Sequence, residues 1–159
     1  MSDYIRSTRE CAFNQVQPAL YAAIRQHAEE NQLGNLEAKA LACVETRNER
    51  KRSSGLFSRL LGSSDPDPLH YTAAVVTPKW LIWASSGAKR GTTVLSARLT
   101  DVQVRNYDMN QLVEDSGLVV NGLLRGATEK AEAFIGLGPE PAAEDFKRIV
   151  REAIEQANG

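Results

Sequence analysis

Residues 79–99 read KWLIWASSGAKRGTTVLSARL. Bulky apolar residues, WLIWA, run into a small polar segment, SSGAKRGT, and a second run leaves it with Leu95, Ala97 and Leu99 at alternate positions. A period of two places alternate side chains on one face of a strand. Gly87 and Gly91 supply the permissive backbone that a tight turn between two strands demands. The stretch is therefore read as a β-hairpin. Trp80 and Trp83, three residues apart in its first strand, point to opposite faces, so one enters the core and the other needs a cover from the N-terminal region or a partner.

Working outward, HYTAAVVT (70–77) precedes the hairpin, and DVQVRNY (101–107), GLVVNG (117–122) and AEAFIGLG (131–138) follow it. Upstream, LEAKALACVETRN (36–48) alternates Ala38, Ala40, Ala42, Val44 and Thr46 with Lys39, Leu41, Cys43, Glu45 and Arg47. Seven strands in close succession predict an antiparallel meander rather than parallel units with crossover helices. Behind them Phe146, Ile149, Val150, Ala153, Ile154 and Ala157 form one apolar helical stripe, with Pro141 at the first turn and GLGPEP as strand end and helix entry. That helix is expected to plug one end of a barrel. Residues 3–31 read as an interrupted helix, with Ile5, Ala12, Val16, Leu20, Ala23, Ile24 and His27 along one stripe, a break before Pro18 and a stop at Gly34 and Asn35. The expected organisation is one domain of mainly β, α+β class: an N-terminal helical extension (1–35) and a partly open seven-stranded barrel with a C-terminal helix (36–159).

Seven strands followed by a capping helix resemble the pleckstrin-homology-like superfold, and TPKWLIWASS followed by TVLSARLTDVQV is similar to the pattern of its bacterial members. In lipid-binding members the loop joining the first two strands carries a basic patch for inositol phosphates. The resemblance places that loop at about Glu49–Leu69. The family's further basic pair at the start of the next strand is replaced here by DPDPLHY, which argues against inositol phosphate and leaves unspecific attraction to anionic surfaces.

The loop holds KRSSGLFSRLLGSSDPDP (51–68). Taken as a helix, Leu56, Phe57, Leu60 and Leu61 share a face opposite Ser58 and Arg59, but so short a helix does not hold itself together in water. The four side chains either pack on their own molecule or bind something else. Arg50, Lys51, Arg52 and Arg59 ahead of and within the apolar group suit an anionic membrane surface or a protein partner. The expected contact set is Arg50, Lys51, Arg52, Leu56, Phe57, Arg59, Leu60 and Leu61. A homodimer through the N-terminal helices is a second expectation, and purely internal packing of the loop and helices is the alternative.

Composition bounds the remaining classes. The chain is 42% hydrophobic and 25% charged with a formal charge of −1, the profile of an ordinary globular protein. Charge is uneven: residues 45–62 carry an excess of three positive charges and residues 108–159 an excess of five negative ones. Cys11 and Cys43 fall in different elements, which gives no disulfide framework and fits a reducing compartment. No apolar run has the length to cross a bilayer and the first residues lack a signal-peptide core, so a cytoplasmic protein, peripheral at most to a membrane, is expected. His27 and His70 stand apart from any nucleophile or metal-ligand spacing, and no phosphate-cradling glycine motif occurs. No catalysis, metal or cofactor is expected. Nucleic acid is not expected either, since no extended basic face is interleaved with aromatics.

Overall fold

Seven strands pair in chain order to make one antiparallel sheet: β1 (Tyr4–Glu10), β2 (Ala42–Arg50), β3 (Leu69–Val76), β4 (Trp80–Gly87), β5 (Gly91–Asn106), β6 (Gly117–Arg125) and β7 (Lys130–Gly136). Among the described residues three α-helices accompany them, α1 (Pro18–Glu30), the single turn α2 (Leu36–Lys39) and α3 (Pro141–Asn158), with a short 3-10 turn at Phe13–Gln15 before α1. The computed structural model describes residues 4–50, 67–106, 117–125 and 130–159.

The sheet curls into a half-barrel, and each of its faces has a helix. On the concave side Val44, Val76, Leu81, Trp83, Leu99, Leu118, Val120 and Ile135 meet Phe146, Val150 and Ala153 of α3. On the convex side Leu20, Ile24 and Ala28 of α1 meet Cys43, Ala73, Val75, Trp80 and Ile82. Covering both faces explains why β3 and β4 carry the unbroken apolar runs AAVV and WLIWA, where a half-exposed strand would alternate. Trp83 lies in the concave core and Trp80 in the convex one, opposed as the period of two requires. Trp80 is sheltered by α1 and by the guanidinium groups of Arg98 and Arg125, 5.2 and 5.0 Å from its ring centroid.

The C-terminal helix follows the sequence pattern closely. Pro141 sits at its first position, where a missing N–H costs nothing, and Phe146 and Val150 are fully buried with Ile149, Ile154 and Ala157 packed at the margin. Lys147 is buried on the same helix and bonded to Glu144 at 2.8 Å.

Four expectations are corrected. Residues 4–10 are a strand, not helix: Tyr4, Arg6 and Thr8 alternate with Ile5, Ser7 and Arg9, and all seven residues pair with β2. Ile5, assigned above to a buried helical stripe, is 56% exposed. Residues 36–39 are not strand. The Asn35 side chain caps α2 by accepting the Ala38 N–H at 3.2 Å, and the strand runs instead from Ala42 to Arg50. TTVLSARL and DVQVRNY are parts of a single strand, β5, whose pairing with β6 slips between Ala97 and Val102. Gly122 faces that irregularity at φ +148°, and a Cβ there would lie 2.2 Å from the Asp101 carbonyl oxygen, so the bend requires glycine. The count of seven strands is thus reached with one strand gained and two merged. Finally, the loop around 51–66 joins the second and third strands; the first two are joined by residues 11–41, which hold α1 and α2.

The sheet's two edges meet without a ladder between them. Gly138 N–H donates to Thr8 Oγ1 at 2.8 Å, and Thr8 N–H donates to Glu140 Oε1 at 2.5 Å. The segment linking β7 to α3 thereby supplies partners to edge strand β1, whose backbone would otherwise invite another chain.

Candidate functional site

Because the ladders are in register, the concave face can be followed level by level across five strands. Val44, Ala74, Trp83 and Leu95 stand abreast on β2 to β5. Two residues further along, about 7 Å nearer the open end, the abreast positions are Thr8, Thr46, Thr72, Ser85 and Thr93. The next level holds Arg6, Asn48 and His70, followed by Gly87 and Gly91. The lining thus passes from apolar to hydroxyl to basic within two steps. A cavity of about 400 Å³ opens there, with Trp83 and Leu95 beneath, Thr72, Ser85 and Thr93 on the wall, and Arg6, His70 and Arg90 around the rim. Its size falls in the range of small-molecule sites.

Arg6 is held across the gap between the two sheet edges. Its Nη1 donates to Asn48 Oδ1, and its guanidinium lies 5.0 Å from the Tyr4 ring centroid and 5.6 Å from that of Phe134. A Cβ on Gly136 would stand 2.4 Å from Arg6 Nη1, so the absent side chain makes this passage. Asn48 is fully buried, and its Nδ2 donates to Thr72 Oγ1 at 3.2 Å and to the carbonyls of Thr46 and His70 at 3.3 and 3.4 Å. Thr8 and Thr46 share a hydrogen bond of 2.7 Å between hydroxyls. His70 is buried, with the Tyr4 ring edge-on at 5.3 Å.

Arg90 is positioned by Asp67 at the tip of the β4–β5 hairpin. Gly91 takes φ +70°, the left-handed conformation that closes the turn. Asp67 Oδ1 accepts the Lys89 N–H at 2.8 Å; Oδ2 accepts the Arg90 N–H at 3.0 Å and Arg90 Nε at 3.2 Å. Burial pushes the Asp67 carboxyl up, but these donors outweigh it and leave its pKa below the ordinary carboxylate value. The carboxylate thus holds the turn and aims Arg90 at the cavity.

Of the predicted contact set, Arg50 ends β2 opposite Tyr4, and its N–H donates to the Pro68 carbonyl at 2.8 Å. Lys51, Arg52, Leu56, Phe57, Arg59, Leu60 and Leu61 lie outside the described residues. The strand ends that flank them, at Arg50 and Leu69, are on the rim side of the sheet with Tyr4 and His70. His27 sits on the other face, where Nε2 is 2.8 Å from the Oγ of fully buried Ser96; burial lowers its pKa, partly offset by Glu30 and reinforced by Arg125. Among the described residues no group of three or more His, Cys, Asp or Glu is gathered to hold a metal, and no helix is long and apolar enough to cross a membrane.

Tyr4, Arg6 and the hydroxyl level were missed in the sequence because Tyr4 and Arg6 lay in the stretch assigned to helix. The available signal was hydroxyl, amide and imidazole residues at inward positions of neighbouring strands, Thr46 with Asn48 and His70 with Thr72, where a closed core would have aliphatics. Comparison with protein-family models, with curated proteins and with solved structures returned no match.

Proposed function

We propose that this protein is a noncatalytic binding module whose ligand enters the open end of the half-barrel. The observation that carries the reading is the graded lining: an apolar floor, a hydroxyl wall and a basic rim in one cavity of about 400 Å³. Such a gradient complements a small amphiphilic anion, with its apolar arm on Trp83 and Leu95 and its carboxylate or phosphate facing Arg6 and Arg90. A guanidinium presents its donors in a planar fork that matches the geometry of a carboxylate or phosphate. The pleckstrin-homology-like resemblance fits a binding role, though in this reading the site is the barrel interior, and a fold alone would not assign it. The basic and apolar loop after Arg50 is tethered at the same rim, which supports its taking part in contact with a protein partner or an anionic membrane surface.

Trp83 is the built-in reporter, and a Trp80→Phe variant isolates its fluorescence. Octanoate and octyl phosphate are expected to change that fluorescence saturably, with inorganic phosphate much weaker and octanol without effect. Thr93→Val removes one wall hydroxyl while keeping its shape; the loss of about 0.5–1.5 kcal/mol for one hydrogen bond corresponds to about two- to tenfold in affinity. Flotation with anionic vesicles then tells whether the same anion is taken from a membrane. Equal response to octanol and octanoate, or no response to any of them, would refute the cavity reading.

A further inference from the structure

Cys11 and Cys43 are adjacent in space although thirty-odd positions separate them in the chain. The β1–β2 register, which pairs Glu10 with Val44, continues one step further: Cys11 N–H donates to the Cys43 carbonyl at 3.1 Å. The bond sets the two residues opposite each other at the end of the ladder, and directly opposed antiparallel residues have Cα atoms about 4.5–5.5 Å apart, inside the range that a disulfide spans. Both side chains belong to the convex cluster, Cys43 buried and Cys11 half-buried at its margin.

We infer that Cys11 and Cys43 form a reversible redox pair, oxidised by a peroxide to a cross-strand disulfide that staples edge strand β1 to β2. The two thiols have distinct parts. The neighbouring Cys43 side chain favours the Cys11 thiolate, and Arg9 reinforces this against the opposing effect of burial; the Cys11 side chain and burial keep Cys43 protonated. Cys11 is also the more exposed, so it meets the oxidant. Its thiolate attacks one peroxide oxygen, the O–O bond breaks, hydroxide leaves, and the sulfur is oxidised to a sulfenic acid while the peroxide is reduced. The Cys43 sulfur then attacks the Cys11 sulfur. An S–S bond forms, the S–O bond breaks, and the departing hydroxide takes the Cys43 proton as water. A dithiol reductant reverses the sequence by exchange.

The site lies where β1 turns into the approach to α1. Glu45, one ladder step away on the same face, bonds Arg9 Nη2 at 2.9 Å and accepts the Gln17 N–H at 2.6 Å at the entry to α1. Oxidation therefore tethers the strand that carries Arg6 at its C-terminal end, beside the Arg9–Glu45 ion pair.

The test uses the full chain, reduced and then freed of reductant, treated with stoichiometric hydrogen peroxide. Both thiols should disappear together from a denaturing thiol titration, with a mass loss of two hydrogens, a monomeric band on a nonreducing gel, and a Cys11–Cys43 peptide on mapping. Dithiothreitol should restore both thiols, and amide exchange across β1 should be slower in the oxidised protein. In Cys43→Ser, dimedone should label Cys11; in Cys11→Ser, labelling of Cys43 should be about tenfold slower or more, because Cys43 is buried. Thiols that stay titratable in wild type, crosslinks between chains in place of the internal one, or unchanged β1 exchange after disulfide formation would overturn the inference.

Discussion

Ile24 on α1 is fully buried in the cluster that contains Trp80 and Ile82, and α1 is the cover for that side of the sheet. Ile24→Ala leaves a cavity beneath the helix without touching the barrel interior. Loss of a buried isoleucine side chain costs about 2–5 kcal/mol, the upper end applying where neighbours cannot collapse into the gap. Rigid strand backbone lies on one side of Ile24 and its own helix on the other, which places the expected cost in the upper half of that range. At a urea slope of about 2 kcal/mol per molar, the unfolding midpoint falls by about 1.8–2.5 M. The assay is equilibrium unfolding followed by tryptophan fluorescence, repeated over a hundredfold range of protein concentration. Leu41→Ala, at a position 50% exposed, is the control and should move the midpoint by less than about 0.3 M. If α1 served a second copy of the chain rather than its own sheet, the midpoint would vary with concentration and Ile24→Ala would dissociate a dimer. A concentration-dependent transition, or a loss below about 1 kcal/mol, would refute the internal packing of α1.

Two further predictions concern the site and its surroundings. Gly136→Ala drives a methyl group into the Arg6 guanidinium, so Arg6 must leave Asn48; the expected loss is about 1–3 kcal/mol, read by denaturant unfolding, with faster amide exchange confined to β1. The His27 pKa is lowered in the fold, so below the unfolded value of about 6.5 the unfolded chain binds the proton more readily. Stability should therefore fall as pH drops from about 6.5 towards the folded pKa and change no further from this source below it; in His27→Gln the difference between melting curves at pH 7.5 and 5.5 should shrink, and an unchanged difference would clear His27 of the effect.

Burial on both faces wrote itself plainly into the sequence at β3, β4 and α3, where apolar side chains leave few alternatives. Their positions, the opposed tryptophans and the Gly87–Gly91 hairpin were legible for that reason. β1 was not legible: YIRSTRE holds few apolar residues, and its place in the sheet depends on backbone bonds to β2 and on hydrogen bonds from Gly138 and to Glu140, partners more than a hundred residues away. Misplacing β1 had two consequences. It renumbered the strands, so that the Arg50–Leu61 segment was assigned to the wrong connection, and it hid Arg6 and Thr8 in a helix. The hydroxyl level was illegible for a related reason, since Thr is common in strands on either face, and only the register of four ladders reveals that Thr8, Thr46, Thr72, Ser85 and Thr93 are abreast.

Strand order along the sheet equals strand order along the chain, which bears on how the molecule assembles. Every ladder joins consecutive strands, so structure can grow outward from the β3–β4–β5 hairpins, with little chain entropy lost at each addition compared with a Greek-key sandwich. The exception is the first strand, which must wait for β2 across the helical insertion and then for residues 138–140 at the far end of the chain. Joining the edges is thus the latest event expected in folding and the earliest in unfolding, and the cavity that depends on Arg6 comes into being only with that final closure.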